Sequence, residues 1–219
     1  SDLFERACLV TPGGSQTSSR RHGNVGPLTY PAFATSASDA FVFFDDGEQA
    51  IDLAGANGTC PLGFNNSTVT AEVLKQLGSS GTLSLPTRLE CEVSERFLNL
   101  MPFSGMCRWV RTGSEAVSGA VAIAQEVTKK TRVGVFLGSY HGWHPWTECL
   151  AKTIPSLLME IGDDVEKWDA GVDWSDLSSI LIESPRWELV GRDYIKILKE
   201  LREACRRHET LLIYDDVVY

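Results

Sequence analysis

Four short stretches of the chain bring together residue types that suit chemistry. The first is Leu211-Leu212-Ile213-Tyr214-Asp215-Asp216, an apolar run that ends in two carboxylates. A carboxylate at the tip of a buried strand is costly unless a partner offsets its charge. The partner would be a protonated ring nitrogen of a cofactor, a basic side chain, or the amides of a following helix. The second is Thr112-Gly113-Ser114-Glu115-Ala116, which reads as a strand-to-helix turn. Gly113 permits close backbone approach, and Ser114 stands where free N–H groups and the helix dipole favour an anion such as phosphate. The same residues also fit a plain helix start, with Ser114 as the capping residue and Glu115 in the first turn. The third is Ser139-Tyr140-His141-Gly142-Trp143-His144. Tyr140 or His141 offers a surface on which a flat ring stacks, or the aromatics pack under a sheet edge. His141 and His144 are three apart, but no carboxylate stands at matching spacing and Cys149 is the only nearby thiol, so no metal is expected. The fourth is Glu183, at the end of the apolar run Ile180-Leu181-Ile182.

The elements that must position these residues alternate. Strands are expected at 106–110, 132–138, 178–184 and 211–215, with helices at 114–130 and 192–208 and a looser segment over 139–177. Alternation of this kind predicts βαβ units and a mainly parallel sheet. Ligands of such sheets bind outside the carboxyl ends of the strands. One crevice would then collect Gly113, Ser114, Tyr140, His141, Glu183 and Asp215, and this common placement carries more weight than any one stretch. Ahead of this region come a short amphipathic helix over 1–10 and a Gly/Ser/Pro-rich loop over 11–27. A β-hairpin over 41–53 turns about Asp45-Asp46-Gly47. Two helices follow, from Ser67 to about Gly78 and from the capping box Thr87-x-x-Glu90 to about Leu100.

Composition bounds the partners. The chain has 219 residues, 43% hydrophobic and 22% charged, with 29 acids against 20 bases and a net charge of −9. That length supports a sizeable core. The acidic balance disfavours nucleic-acid and anionic-membrane partners. No apolar stretch has the length of a membrane-spanning helix, and the first residues lack the apolar core of a signal peptide. Six widely spaced cysteines, without a Cys-x-x-Cys pair, are expected to be reduced, mostly buried and inert in a cytoplasmic protein.

Taken in order, the stretches "TPGGSQTSSR", "DDGEQAIDLAGANG", "PLGF", "TGSEA", "YHG", the Glu of "LIE" and "LLIYDD" resemble the class III aminotransferases of PLP fold type I, most closely the glutamate-1-semialdehyde 2,1-aminomutase-like members. The resemblance runs through nearly the whole chain. It implies an α/β fold: the large domain of the fold type I PLP-dependent transferases, a mainly parallel sheet with flanking helices. It also implies a pyridoxal 5'-phosphate cofactor. Gly113 and Ser114 would bind its phosphate. Tyr140 would stack on the pyridine ring, with His141 beside it. Asp215 would pair with the pyridine nitrogen, and Glu183 would support the cofactor from behind. Arg20 aligns with the residue that meets a substrate carboxylate, a task suited to bidentate Arg geometry. The chain departs from the family in reading "TGSEA" for the usual "SGTEA" and Asp215-Asp216 for Asp-Glu, and in placing Ser184 between Glu183 and Pro185.

The resemblance further implies an N-terminal segment over 1–55 and a partial PLP-binding large domain over 56–219. The family's C-terminal domain and its cofactor-bearing lysine would lie beyond Tyr219, so the chain reads as an N-terminal portion. The expected activity is amino-group transfer on a small amino or keto acid or an amino-aldehyde, as aminotransferase or aminomutase, in a homodimer. The alternative is a homologue that keeps the fold as a binding module without catalysis.

Overall fold

The computed structural model describes residues 2–21, 33–81, 83–101, 105–136, 139–144, 158–161, 171–183 and 194–217. They divide into two compact units, Ser1–Cys91 and Glu92–Tyr219.

In the first unit, helix α1 (Asp2–Val10) leads into two single 3-10 turns, Pro12–Gly14 and Ser18–Arg20. A three-stranded antiparallel meander follows, with β1 (Ala34–Ser38), β2 (Phe41–Phe44) and β3 (Gln49–Ile51). The β2–β3 hairpin closes on the expected Asp-Asp-Gly turn. Gly47 takes φ +87°, and Asp46 Oδ1 accepts from the N–H of Glu48 at 2.9 Å, an Asx-type turn. β1 was not expected, because Ala-Thr-Ser-Ala-Ser has little strand propensity. Its pairing with β2 makes it a strand. Helix α2 (Ser67–Ser79) starts at Asn66, whose side chain accepts from the N–H of Val69.

Helix α3 (Arg88–Leu100) starts at the predicted capping box. Thr87 N–H donates to Glu90 Oε1 at 2.8 Å, and Glu90 N–H donates to Thr87 Oγ1 at 3.4 Å.

In the second unit, four parallel strands run in the order β5-β4-β6-β7. They are β4 (Arg132–Phe136), β5 (Leu158–Ile161), β6 (Leu177–Glu183) and β7 (Leu211–Asp215). Helix α4 (Gly113–Thr128) covers one face, where Val117 and Val121 pack on Val133, Val135, Leu181 and Ile213. Helix α5 (Tyr194–Arg207) covers the other face. There Leu201, Ala204 and Cys205 pack on Phe136, Leu177, Ile180 and Ile182. Covered on both faces, β6 is buried from Leu177 to Ile182, as a central parallel strand should be. Each such fully buried aliphatic side chain contributes about 1.5–3 kcal/mol relative to exposure. All the fully buried side chains among the described residues lie in this unit. Its Lys130 is not a solvated surface lysine. Its Nζ donates to the carbonyls of His208 at 2.6 Å and Trp174 at 3.3 Å, tying the chain beyond α5 to the start of β4.

Three expectations are corrected. Residues 106–110 belong to no ladder among the described residues, because an apolar run becomes a strand only where a neighbour completes its hydrogen bonds. Instead Trp109 packs edge-on against Phe97, at 5.4 Å between ring centres, and donates from Nε1 to Ser94 Oγ at 2.9 Å. The segment 139–177, expected to be loose, contains β5, which among the described strands pairs with β4. Glu160 within Leu158–Ile161 disguised that short apolar run. The cysteines are mostly not buried. Cys8 and Cys91 are exposed, Cys60 and Cys107 half-buried, and only Cys205 among the described thiols is in the core.

Candidate active site

The strand order turns back at β4, with β5 on one side and β6 on the other. In a parallel sheet this switch opens a crevice beyond the carboxyl ends of the strands, and the chemically distinctive residues of the second unit gather there. Glu183 and Asp215 are directly opposed at the last rung of the β6–β7 ladder. Residues opposed in register point to one face of a sheet, and here it is the face on which Leu181 and Ile213 meet α4.

After β4 the chain turns over the strand end, with Ser139 N–H returning to the Phe136 carbonyl at 3.1 Å. This places His141, only 1% exposed, beside Asp215. His141 Nδ1 lies 2.8 Å from Asp215 Oδ2, with the imidazole fully buried and the carboxylate 9% exposed. An ionised carboxylate only accepts, so Nδ1 carries the proton and donates. His141 Nε2 and Ser139 Oγ are both buried without a hydrogen-bond partner among the described residues. Buried polar atoms of this kind call for a partner beyond the described residues.

Helix α4 begins two residues earlier than a Ser114 cap would require. Thr112 is the N-cap, and it forms a full capping box with Glu115. Thr112 Oγ1 accepts from Glu115 N–H at 3.2 Å, and Glu115 Oε2 accepts from the N–H groups of Arg111 at 2.8 Å and Thr112 at 3.0 Å. The cap thus satisfies the amides on either side and leaves those of Gly113 and Ser114 unclaimed within the helix, at its positive end. Released from capping, Ser114 is 8% exposed, and its Oγ accepts from Trp143 N–H at 3.4 Å. The hydroxyl hydrogen is left to donate elsewhere. This end of α4 adjoins the end of β7, because a Cβ on Gly113 would lie 3.6 Å from Val217 Cγ2.

Gly142 makes the junction between these parts. Its φ of +96° disfavours any other residue. A Cβ there would fall inside van der Waals contact of Ser114 Oγ, and 3.0 Å from Ser114 Cβ. The loop therefore lies directly on the first turn of α4. Tyr140, between the buried Ser139 and His141, is 62% exposed.

Five of the residues singled out from the sequence are thus linked by geometry, as Asp215 bonds His141, Glu183 stands beside Asp215, and Gly113 and Ser114 adjoin Val217 and the 139–144 loop. Tyr140 sits within that loop. Arg20 closes the short turn Ser18–Arg20 of the first unit, where it is exposed. Sequence reasoning missed Gly142, whose signal was a glycine directly after His141. It also missed the bond between Ser118 Oγ and His144 Nδ1, at 2.6 Å. The two histidines point to different partners, Asp215 and Ser118, and no group of three metal-ligating side chains converges among the described residues. None of the helices described is long and apolar enough to cross a membrane.

The fold around these residues is known. The structure superposes on the internal-aldimine form of the PLP-containing FumI protein of Sphingopyxis sp. MTA144 with a TM-score of 0.84 at 24% identity. That match covers 99% of this chain and 54% of the other. The second unit therefore has the α/β large-domain fold of the PLP-dependent transferases of fold type I. Residues 23–161 match the family Aminotransferase class-III, and the chain belongs to that family. Relatives include the glutamate-1-semialdehyde 2,1-aminomutases of Desulfatibacillum aliphaticivorans, 36% identical over 240 residues, and Acetivibrio thermocellus, 30% identical over 236. Each match covers 99% of this chain and 55% of the relative, so the chain spans about half the length of the curated relatives it matches.

Proposed function

We propose that this chain supplies the cofactor-binding part of a pyridoxal 5'-phosphate-dependent aminotransferase or aminomutase. The observation that carries the reading is the buried His141–Asp215 pair, at 2.8 Å, at the end of a strand that adjoins the N-terminus of α4. The site passes a test of fit. Gly113 and Ser114 offer unclaimed amides and a hydroxyl to the phosphate. Asp215, with Oδ2 engaged by His141, has its other oxygen for a protonated pyridine nitrogen. His141, bonded to Oδ2, holds the Asp215 carboxylate in place. Glu183 adds negative charge beside it. Tyr140, exposed on the same loop as His141, is the side chain that would stack on the ring. When bound, pyridoxal phosphate supplies an electron sink for a carbanion α to an amine.

The substrate is a small amino or keto acid or an amino-aldehyde, in keeping with the relatives' names. Arg20 is the candidate for holding its carboxylate, and this rests on the sequence resemblance alone, as do the segment over 1–55, the large domain over 56–219, a homodimer and a cytoplasmic location.

The test is to titrate the full chain with pyridoxal phosphate, following absorbance and protein fluorescence, beside Asp215→Ala and Ser114→Ala. Saturable binding by the wild type, weakened by at least roughly tenfold in Asp215→Ala, supports the proposal. A charge-assisted contact of about 1.5–3 kcal/mol corresponds to that change. Absence of binding, or equal affinity in Asp215→Ala, refutes it. Binding without amino-transfer by a protein that carries the family's lysine favours a binding module over an enzyme.

A further inference from the structure

The loop that carries Tyr140 and His141 is fastened at both ends. On its N-terminal side Ser139 N–H bonds the Phe136 carbonyl at 3.1 Å, and at its centre His141 bonds Asp215. On its C-terminal side two contacts reach α4. Trp143 N–H meets Ser114 Oγ at 3.4 Å, a long bond, whereas Ser118 Oγ and His144 Nδ1 lie 2.6 Å apart, a short one. Ser114 and Ser118 are one helical turn apart and share a face of α4. The His144 ring also meets the Trp143 ring edge-on, 5.2 Å between centres at 77°. Fixing His144 therefore restrains Trp143 and, through Gly142, the two residues before it.

We infer that Ser118 and His144 are a positioning pair, whose hydrogen bond sets Tyr140 and His141 relative to Asp215 and so governs the affinity of the cofactor site. This rests on the cofactor reading above. Ser118 is not part of the packing that holds α4 on the sheet, where Val117 and Val121 are the buried contacts. It is half-buried, and alanine at a helical position has the higher intrinsic propensity. Loss of its hydroxyl therefore leaves the fold in place and frees the loop. Positioning and folding come apart at this residue, which makes the inference testable.

The experiment uses the full chain, with Ser118→Ala, His144→Ala, the double variant and Ser118→Thr. Pyridoxal phosphate affinity is measured by absorbance titration. Hydrogen–deuterium exchange over 139–144 and the Tm are measured without cofactor. Each single alanine variant is expected to bind roughly fivefold more weakly, the worth of one net hydrogen bond. The double variant should bind no worse than the weaker single, Ser118→Thr should restore affinity, and exchange in the loop should rise while the Tm holds. Unchanged affinity in Ser118→Ala, or additive losses in the double variant, overturns the pair. So does a fall in Tm that accounts for the loss while loop exchange stays unchanged. A wild type that binds no pyridoxal phosphate sinks the cofactor reading and this inference with it, whereas wild-type binding unaltered in Ser118→Ala sinks this inference alone.

Discussion

Replacing Gly142 by alanine adds one methyl group at the most constrained point of the site. The backbone there has φ +96°, where a side chain is strained, at a cost of about 1–3 kcal/mol. The new Cβ would also lie 3.0 Å from Ser114 Cβ and 3.1 Å from Ser114 Cα, too close for carbon atoms. The obstacle is the body of α4 rather than the end of a flexible side chain, so the loop must lift. Overpacking of this kind costs a further 1–3 kcal/mol or so. The expected loss is about 2–6 kcal/mol, divided between stability and the affinity for pyridoxal phosphate, because the loop that lifts is the one that bears His141. Urea denaturation with and without cofactor measures both parts. Gly119→Ala in the same helix is the control. Gly119 is exposed, with nothing within 4 Å of where its Cβ would stand, and alanine there should stabilise by about 0.5–1 kcal/mol. If Gly142→Ala keeps wild-type stability and cofactor affinity, the account of the loop seated on α4 is wrong.

Two further predictions concern titrating groups. Asp176 accepts from Thr131 Oγ1 at 2.6 Å and Thr131 N–H at 2.9 Å, and these bonds hold its carboxyl below the usual range. Its stabilisation is therefore present above the ordinary aspartate pKa of about 4 and lost as pH falls through the lower folded value. Asp176→Asn should shift thermal stability above pH 5 by less than about 1 kcal/mol, since solvent screens the site, and the difference should vanish near pH 2. Burial pushes the Cys205 thiol up to about 12. Iodoacetamide at pH 8 should therefore label Cys8 and Cys91 in the native chain and spare Cys205, as peptide mass spectrometry will show. Rapid native labelling of Cys205 would contradict its place on the face of α5 that packs against the sheet.

Much of the fold was legible in the sequence for local reasons. The capping box at Thr87 and Glu90, the Asp-Asp-Gly turn and the helices α2, α4 and α5 declare themselves in contiguous residues. The strands β4 and β6 are apolar because both faces are covered, and such runs are plain to read; β7 is an equally apolar run, although Leu211 and Tyr214 stay exposed. What failed depended on neighbours far along the chain. Residues 106–110 carry an apolar strand pattern without a described strand to complete it. β1 and β5 carry weak patterns and become strands by pairing with β2 and β4. The exposure of Cys8 and Cys91 likewise follows from packing, which spacing does not report.

By sequence alone Tyr140, His141, Glu183 and Asp215 fall at or just past the ends of β4, β6 and β7, because the alternation of strand and helix brings every second turn to one edge of a parallel sheet. The strand expected before Gly113 and Ser114 is not among the described ladders. The hydrogen-bond partners were settled by the tertiary structure. It assigned His141 to Asp215, His144 to Ser118 and the cap of α4 to Thr112 rather than Ser114, and it made Gly142 obligatory. The cap is local, but the contacts of His141, His144 and Gly142 depend on distances of a few ångströms between segments 26 to 74 residues apart. A side chain's type states which bonds it can make, but only the packing of α4 against the sheet decides which partner comes within reach.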